Sequence, residues 1–479
     1  MSFSKEDILL LRPLRNHSSF MTSKGFLLRL CLYCFAAAIV LSQPRLSAAQ
    51  EQAAEKLTLS KAVELAMSNN PLLKGASASL EASQANRSAS LSAFFPTLNF
   101  YEDLERTNNP PMVFTYKLAQ ERFTSRDFDI DRLNNPTPIT NWQGRFVLTQ
   151  PIFNQGREII GYRLSKVQEQ IAALEKTKIR QEVSFQVEKA YYQAILAEKT
   201  LDVMTASVET AKAMEGLAAK REKAGLALKS DLLSARVHLV SAERERLRAE
   251  GDVKIAMAAL DKAMGISQDR EWELEPPQTN TDLASRGLEA WLEIARRKRP
   301  ESLLSKKMVQ AAGLKTKEAE FQFLPSLNLQ GSYETNSRDL LGTDGDSWSI
   351  MAVMSFNIFN GLGDRARLAA ASAEERRTRY KDQDINAQIG LEVRQAYFNL
   401  ITAKKQLDVT EKAVAQAEET LRILKKRYEN GLALMVEVLS AETALKQTRL
   451  QAAQARYDYM TAMSDLKLKT GVLGNDDES

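Results

Sequence analysis

The side chains of this sequence that could do chemistry are few and isolated. The sequence holds two histidines, and only His238 lies beyond the N-terminal leader described below. Apolar residues recur around it at helical spacing, so the pattern predicts a histidine on a helix surface or interface rather than a catalytic one. The sequence contains no cluster with metal-ligand spacing, no nucleophile elbow and no phosphate-binding loop. These observations predict a protein that is not an enzyme and needs neither a metal nor another cofactor.

A more informative set of polar residues lies in a segment that occurs twice. Lys220–Ala235 reads KREKAGLALKSDLLSA, and Lys426–Ala441 reads KRYENGLALMVEVLSA. Nine of the sixteen paired positions are identical, at a constant separation of 206 residues. Each copy ends a long helical pattern at a glycine, Gly225 or Gly431, the usual residue for the left-handed backbone just past a helix end. Both copies are therefore predicted to be tips of helical hairpins.

Long helices must position the two tips. From Tyr162 to Glu215 the chain has neither glycine nor proline, and apolar residues recur at spacings of three and four, as in a coiled-coil seam. A helix over residues 157–224 would be roughly 100 Å long at about 1.5 Å per residue. Such a helix is too long for a globular core and is typical of a coiled coil or a tube. The second half repeats the pattern, and Tyr428 falls in its apolar seam.

Each half also carries two segments in which apolar and polar residues alternate. They are predicted to be strands of about 10–12 residues with one apolar face, over about 97–106, 142–153, 325–334 and 348–359. This length spans a bilayer when the strands are tilted, and Trp142 and Trp348 are then expected at the membrane interface. Four strands cannot close a barrel, so membrane insertion requires oligomerisation. Two copies give eight strands, and three give twelve, enough for a conducting barrel. Strands of a soluble sandwich are the alternative.

The N-terminus reads as a secretory signal peptide rather than as part of the fold. Basic residues precede an apolar run over residues 30–41, and Ser47-Ala48-Ala49 supplies small residues for cleavage. The run is shorter than the about 20 residues that a membrane helix needs. The leader carries both cysteines, six basic and two acidic side chains, so 59 side chains of each charge remain. A net charge near zero gives no case for nucleic-acid binding.

The repeat divides the chain into two similar halves. The predicted units are a signal peptide over 1–49, a first structural repeat over 50–272, a linker over 273–286, a second repeat over 287–472 and a short tail over 473–479. The halves differ mainly between their strands, where residues 105–141 form a polar connection with four prolines. A connection of this length without secondary structure is uncommon, and it is typical of an exposed or functional loop.

The ordered set of these features resembles the outer membrane efflux protein (TolC) family. The set comprises the signal peptide, the twice-repeated order helix–strand–strand–helix–helix, the Phe-x-Pro and Asn-x-Phe-Asn flanks of the strands, and the Gly-Leu tips. The resemblance implies a mainly α protein whose helical hairpins form a periplasmic barrel. It also implies that four strands per chain contribute to a twelve-stranded, trimeric transmembrane β-barrel in the outer membrane. The implied function is an exit duct for the efflux of small molecules or for protein secretion.

The resemblance further implies roles for residues of the tips. Glu437 matches an acidic gate residue of an Asp-x-x-Asp pair, whose second position is Ser440 here. Tyr428 matches a tyrosine that locks neighbouring hairpins, with Asp231 as its acidic partner, whereas Ala433 replaces an arginine of that lock. Three copies of Glu437 around a threefold axis would also concentrate negative charge at a constriction and favour cations. The alternatives are a solvated helix carboxylate for Glu437 and a place in the apolar seam for Tyr428.

The implied partners are two further copies of this chain, a periplasmic adaptor (membrane fusion) protein, an inner-membrane transporter and outer membrane lipid. The tips are small, apolar and exposed, and the predicted adaptor-binding residues are Gly225, Leu226, Ala227, Ser230, Gly431, Leu432 and Ala433. A periplasmic structural coiled-coil protein without a channel is the rival interpretation. It accounts for the helices but not for the paired alternating strands.

Overall fold

The computed structural model describes residues 55–268, 270, 272–277 and 286–474. The predicted signal peptide, most of the predicted linker and residues 475–479 lie outside the described residues. In chain order the elements are β1 (Glu55–Leu57), α1 (Leu59–Asn69), α2 (Pro71–Ser90), β2 (Thr97–Thr107), α3 (Pro110–Ala119), α4 (Ile130–Asn134), β3 (Ile139–Asn154), α5 (Arg157–Lys223), α6 (Lys229–Met264), β4 (Trp272–Leu274), α7 (Leu288–Lys298), α8 (Pro300–Phe321), β5 (Ser326–Ser337), β6 (Gly345–Ser355), α9 (Gly363–Glu429) and α10 (Met435–Thr470).

Two helical hairpins of equal dimensions make up most of the described chain. The helices α5 and α9 have 67 residues each, and the returning helices α6 and α10 have 36 each. Gly225 and Gly431 adopt left-handed backbones with φ of 75° and 76°, so both predicted tips are confirmed. The two hairpins lie side by side, because α5 packs against α10 as well as against α6. Within the described residues, no helix combines the length and the hydropathy that crossing a membrane requires.

A mixed region surrounds the ends of the two returning helices, α6 and α10, and the middle of the long helices. The strands β1 and β4 pair in parallel there, with Leu57 opposite Leu274. The Tyr191 hydroxyl of α5 lies 2.7 Å from the carbonyl oxygens of both Leu57 and Glu275, which ties the small sheet to the long helix. The linker predicted from residue 273 is therefore placed too early, because its first two residues belong to a strand that pairs with the start of the first repeat.

The four long strands form one antiparallel sheet in the order β2–β3–β5–β6. Their register aligns one row of aromatic residues across the sheet, called the aromatic row below: Phe100, Phe146, Tyr333 and Trp348. Successive residues of a strand face opposite sides, so this register places the predicted apolar residues of all four strands on one face. A bulge between Pro151 and Phe153 returns Phe153 to that face, opposite Leu327.

The last strand occupies a different range from the one predicted. β6 ends at Ser355 and not near residue 359. Ser355 pairs with Ser326, and the residue before Ser326 is Pro325. Proline has no N–H to donate to the ladder, so pairing stops at this point and residues 356–359 lie outside the sheet. At its other end β6 begins at Gly345, where it continues to pair with β5.

The connection between β2 and β3 is structured, contrary to the prediction of a polar loop over residues 105–141. It contains α3, α4 and a short 3-10 helix over Ser125–Phe128. The buried Gln120 donates from Nε2 to the Thr140 carbonyl (2.9 Å) and to Asn141 Oδ1 (2.8 Å). These bonds hold the chain in register beyond the predicted strand start, so β3 begins at Ile139. Asn141 faces away from the aromatic row, and the connection therefore packs on the polar face of the sheet.

Candidate functional site

Each hairpin tip is closed by an arginine of its own long helix. The Arg221 Nη2 donates to the Leu226 carbonyl at 3.3 Å, and the Arg427 Nη2 donates to the Leu432 carbonyl at 3.2 Å. The two arginines are 206 residues apart, as are the two leucines. A duplicated arginine therefore satisfies the same backbone carbonyl in both tips, where the helix end leaves carbonyl groups without helical partners.

Arg221 makes further contacts that join the two tips of one chain. Its Nη1 donates to the Glu429 carbonyl of the second hairpin at 2.7 Å. Its guanidinium lies 5.1 Å from the centre of the Tyr428 ring, within the range of a cation–π contact. Arg221 was not among the residues predicted from the sequence. The repeated segment has arginine at this position in both copies, which could have indicated a shared contact within each turn. Nothing in the sequence indicated a contact between the two hairpins.

Tyr428 lies inside the seam between the hairpins. It is 4% exposed and packs in a cluster with Met214, Ala218, Leu232, Ala235, Met435 and Val438, which come from both hairpins. Burial raises the pKa of the Tyr428 hydroxyl, the charge of Asp231 raises it further, and Arg221 opposes both effects. Among the described residues the hydroxyl has no hydrogen-bond partner. Within one chain, Asp231 and Tyr428 are thus electrostatic neighbours without the hydrogen bond that a lock would use.

Glu437 and Ser440 lie on the exposed side of the second tip. The Glu437 carboxylate accepts a hydrogen bond of 2.7 Å from the Leu434 N–H, so it satisfies one of the free donors at the start of α10. Its negative charge also suits the helix N-terminus. Asp231 takes the corresponding position in α6 without that side-chain bond. Glu437 therefore has a structural role in the tip, and it remains accessible to solvent.

A buried polar network joins the hairpins above the tips. Glu442 of α10 is 3% exposed and accepts from Ser207 of α5 at 2.5 Å, and its second oxygen lies 2.7 Å from His238 Nε2 of α6. Burial opposes ionisation of Glu442, but the hydrogen bonds from His238 and Ser207 prevail and hold the pKa of this carboxyl below its usual range. His238 is thus an interface histidine. Nearby, Lys446 pairs with Glu245 at 2.6 Å.

The predicted adaptor-binding residues include two exposed leucines. Leu226 and Leu432 are 66% and 68% exposed at the ends of the tips. Leu228 and Leu434, which were not among the predicted residues, are equally exposed two residues later in each copy. Their identity at paired positions of the repeat was the available signal. Each tip therefore presents two leucines to solvent.

The two tryptophans predicted at the membrane interface lie at different heights on the sheet. Trp348 belongs to the aromatic row and is 71% exposed. Trp142 is half-buried and precedes Phe146 of the aromatic row by four residues of β3, a distance of about 13 Å at about 3.3 Å per residue. The row between them carries Glu102 and Asp346. The aromatic row, and not Trp142, therefore marks the limit of the continuous apolar face.

A second group of exposed aromatic residues lies at the opposite end of the strands, next to the helices. Its members are Phe94, Phe95, Phe323, Phe356 and Phe359. Some of them lie just before the prolines that precede β2 and β5. This Phe-x-Pro pattern contributed to the family resemblance, but it was not used to predict the position of the membrane. Two aromatic levels thus border one apolar face, as in transmembrane barrels.

The described residues contain no group of three or more His, Cys, Asp or Glu side chains placed to hold a metal ion. The polar groups that the tips bring together are an arginine, a tyrosine and carboxylates. This arrangement can hold helices together and set the charge of a passage.

Comparison with known proteins agrees with this architecture. The sequence pattern of the family described as outer membrane efflux protein matches residues 62–266 and 291–472. The chain is 26% identical to protein CyaE of Bordetella pertussis over 410 residues, 84% of this chain and 82% of that protein. It is 21% identical to the alkaline protease secretion protein AprF of Pseudomonas aeruginosa, over 86% of this chain and 84% of that protein.

Solved structures agree with the fold. The outer membrane protein VceC of Vibrio cholerae superimposes with a TM-score of 0.72 at 20% identity, covering 86% of this chain and 96% of that one. The CmeC outer membrane channel of Campylobacter jejuni gives a TM-score of 0.72 at 18% identity, over 88% and 87% of the two chains. The chain therefore belongs to the outer membrane efflux protein family, a family of outer membrane channels for efflux or secretion that have a large periplasmic helical part.

Proposed function

We propose that three copies of this chain form one continuous duct, which receives its cargo from an inner-membrane transporter through a periplasmic adaptor. The observation that carries the proposal is the four-stranded sheet, which has one apolar face and is attached to helices of 67 residues. Its edges are β2 and β6, and an open sheet edge in lipid would leave backbone groups without partners. A sheet of this kind is stable in a membrane only when neighbouring chains complete it.

The direction of the edge strands supports closure by further copies. Adjacent strands of the sheet are antiparallel, so the first strand, β2, and the fourth, β6, run in opposite directions. β6 of one chain can therefore pair with β2 of the next in the same antiparallel pattern. Three chains give twelve strands, whose apolar face contacts lipid between the two aromatic levels.

The long helices carry apolar stripes that a second copy would cover. On α6 the stripe consists of residues that are at least half exposed: Leu233, Val237, Val240, Leu247 and Ile255. On α9 the exposed residues include Leu391, Phe398 and Val409. Several of these spacings are three, four or seven residues, the pattern of a coiled-coil seam. Because α5 and α10 form the seam inside one chain, α6 and α9 are the helices left to meet neighbouring chains.

The tips are the proposed gate and the proposed adaptor contact. Three copies of Glu437, with Ser440 one turn farther, would line the narrowest point of the ring and favour cations there. Tyr428 and Asp231 belong to the seam that must open. The exposed leucines at the ends of the tips, with the small residues around them, are the surface proposed for the adaptor.

A secreted protein is the cargo that the relatives favour. AprF is an alkaline protease secretion protein, and the proteases secretion protein PrtF of Dickeya chrysanthemi is 20% identical over 88% of this chain and 90% of its own length. Efflux of small molecules is the second candidate, because the family description names efflux.

Membrane fractionation and conductance test the proposal. The full-length protein, expressed in a Gram-negative host, should co-sediment with outer membranes and require detergent for extraction. In a planar bilayer it should show small, cation-selective conductance that rises when Glu437→Ala is combined with Tyr428→Phe. Val436→Ala, an exposed change in the same turn, is the matched control. Recovery as a soluble periplasmic protein would support the coiled-coil alternative and overturn the proposed duct.

A further inference from the structure

The equal dimensions of the two hairpins carry an inference about the contacts between chains, and this inference rests on the proposed trimer. Every helical position from 157 to 264 has a counterpart 206 residues later, in a helix of the same length. In a ring of six hairpins, first and second hairpins alternate. The ring therefore has three seams inside chains and three seams between chains. The contacts observed in the seam inside a chain therefore predict the contacts in the seam between chains, once each residue is replaced by its counterpart 206 positions away.

The seam inside the chain supplies the template. Arg221 of the first hairpin closes its own turn, donates to the Glu429 carbonyl of the second hairpin and lies over the Tyr428 ring. Asp231 of the first hairpin lies close enough to Tyr428 to raise the pKa of its hydroxyl. The template thus joins an arginine and a carboxylate of one hairpin to the ring and backbone of the next.

Applied to the seam between chains, the shift of 206 positions replaces each member of the template. Arg221 becomes Arg427, and Asp231 becomes Glu437, both in the second hairpin of one chain. Tyr428 becomes Glu222 in the first hairpin of the neighbouring chain. We propose that Arg427 bridges Glu437 of its own chain and Glu222 of the neighbouring subunit, and that this bridge closes the tip ring between chains.

The side chains of the single chain are available for such a bridge. Arg427 and Glu437 are exposed and Glu222 is half-buried. In the part of the chain that the structure describes, none of the three belongs to an ion pair. Arg427 already closes its own turn as Arg221 does, so its guanidinium is held in the corresponding place. One cation between two carboxylates is a favourable arrangement, because guanidinium–carboxylate bonds are charge-assisted.

The bridge changes the expected role of Glu437. An isolated ring of three glutamates would repel itself, whereas an arginine beside each one compensates the charge while the ring is closed. Opening separates Arg427 from the neighbouring Glu222 and leaves negative charge at the entrance. The seam between chains is therefore the ionic one, and the seam inside the chain is held by a buried aromatic ring.

Paired cysteines test the geometry in the full-length protein. Glu222→Cys with Arg427→Cys should give covalent trimers under mild oxidation, because each disulfide joins two chains. The matched pair Arg221→Cys with Tyr428→Cys should give only disulfides within one chain. Each single variant is a control for unspecific oxidation, with Cys31 and Cys34 replaced by Ser in all variants. A disulfide within one chain in the Glu222/Arg427 variant would overturn the bridge. The absence of any link between chains would also overturn it when direct oxidation is replaced by a bis-maleimide whose spacer matches the combined reach of an arginine and a glutamate, since a disulfide alone requires a shorter Cα separation.

Charge reversal tests the energetics. Arg427→Glu should raise the open fraction in planar bilayers by up to about fivefold per broken bridge, the factor that an exposed ion pair contributes. Adding Glu222→Arg should restore closure, because the reversed pair can form again. If the double variant stays as open as Arg427→Glu, the bridge is wrong. Light scattering on the same samples separates the two proposals. A trimer without the cross-link overturns only the bridge, whereas a monomer overturns the duct.

Discussion

The two hairpin tips share one backbone and differ in the chemistry of their sides. Gly225 and Gly431 have nearly equal φ, and Arg221 and Arg427 close equivalent turns. The first tip, however, places Glu222 where the second tip places Tyr428. The duplicated residues thus define the backbone shape of a tip, and the residues that differ determine its contacts with the neighbouring hairpin. The seam inside a chain and the seam between chains are therefore expected to differ in the free energy that opening them costs.

The largest expected effect comes from truncating Tyr428, the buried aromatic residue of the second tip. Tyr428→Ala removes a ring that fills the cluster between the hairpins, and such changes typically cost about 3–5 kcal/mol. We expect faster amide hydrogen exchange in both tips of the full-length protein in detergent. Glu222→Ala, at the corresponding position of the first tip, removes only a partner of the proposed bridge and should speed exchange by a much smaller factor. Equal exchange in Tyr428→Ala and wild type would show that the ring does not hold the seam.

The buried network above the tips gives the next effect and depends on pH. The pKa of Glu442 is lowered in the folded chain from an ordinary value of 4.5. A lowered pKa means that the stabilisation is complete above about pH 4.5 and is lost as the pH falls through the folded pKa. Glu442→Gln should lower the free energy of unfolding at pH 7 by about 1–3 kcal/mol, the usual cost of disturbing a buried charged hydrogen bond.

Thermal unfolding followed by circular dichroism checks this prediction at pH 7 and pH 3. The difference between wild type and Glu442→Gln should be large at pH 7 and small at pH 3. Asp458→Asn, an exposed change in the same helix, is the control. A constant difference at both pH values would contradict the assigned role of the Glu442 charge.

Removing the arginines should affect the tips unequally. Arg221→Ala removes a turn bond, a bond to the second hairpin and a ring contact, whereas Arg427→Ala removes only the turn bond within a chain. In the full-length protein in mild detergent, Arg221→Ala should therefore speed amide hydrogen exchange at residues 426–432 by the larger factor, since each such bond contributes about 1 kcal/mol. Equal effects of the two changes would remove the distinction between the arginines.

The smallest effect is expected for the hydroxyl of the same tyrosine. Tyr428→Phe keeps the ring and removes a buried oxygen that has no hydrogen-bond partner in the described chain. The change should leave the melting temperature equal to or slightly above that of wild type, because no bond is lost. A clear decrease would show that the hydroxyl gains a partner in the assembly, and Asp231→Asn would then reproduce it.

The sequence allowed much of the fold to be predicted, because its strongest signals are local. Helix ends follow from the glycines of the repeated segment, and strands follow from alternation of apolar and polar residues. The end of β6 was missed because it depends on Pro325 in the partner strand. The helices between β2 and β3 were missed because their packing, through Gln120, is a contact between distant segments.

The candidate site was harder to predict for the same reason. Glu442 and His238 are 204 residues apart, and nothing in either local pattern shows that they meet. Arg221 reads as a surface residue of a basic helix end, and only its position between hairpins gives it a role. Trp142 has the expected residue type for a membrane interface, but its height on the sheet depends on the register of four strands.

The central claim is that three copies of the chain complete one barrel and one ring of tips. Native mass spectrometry of the full-length protein, extracted from outer membranes in mild detergent, tests it most directly. We predict a complex of three chains that persists on dilution and separates only when the sheet unfolds. A complex of one or two chains would contradict the claim, because four or eight strands do not form the proposed conducting barrel.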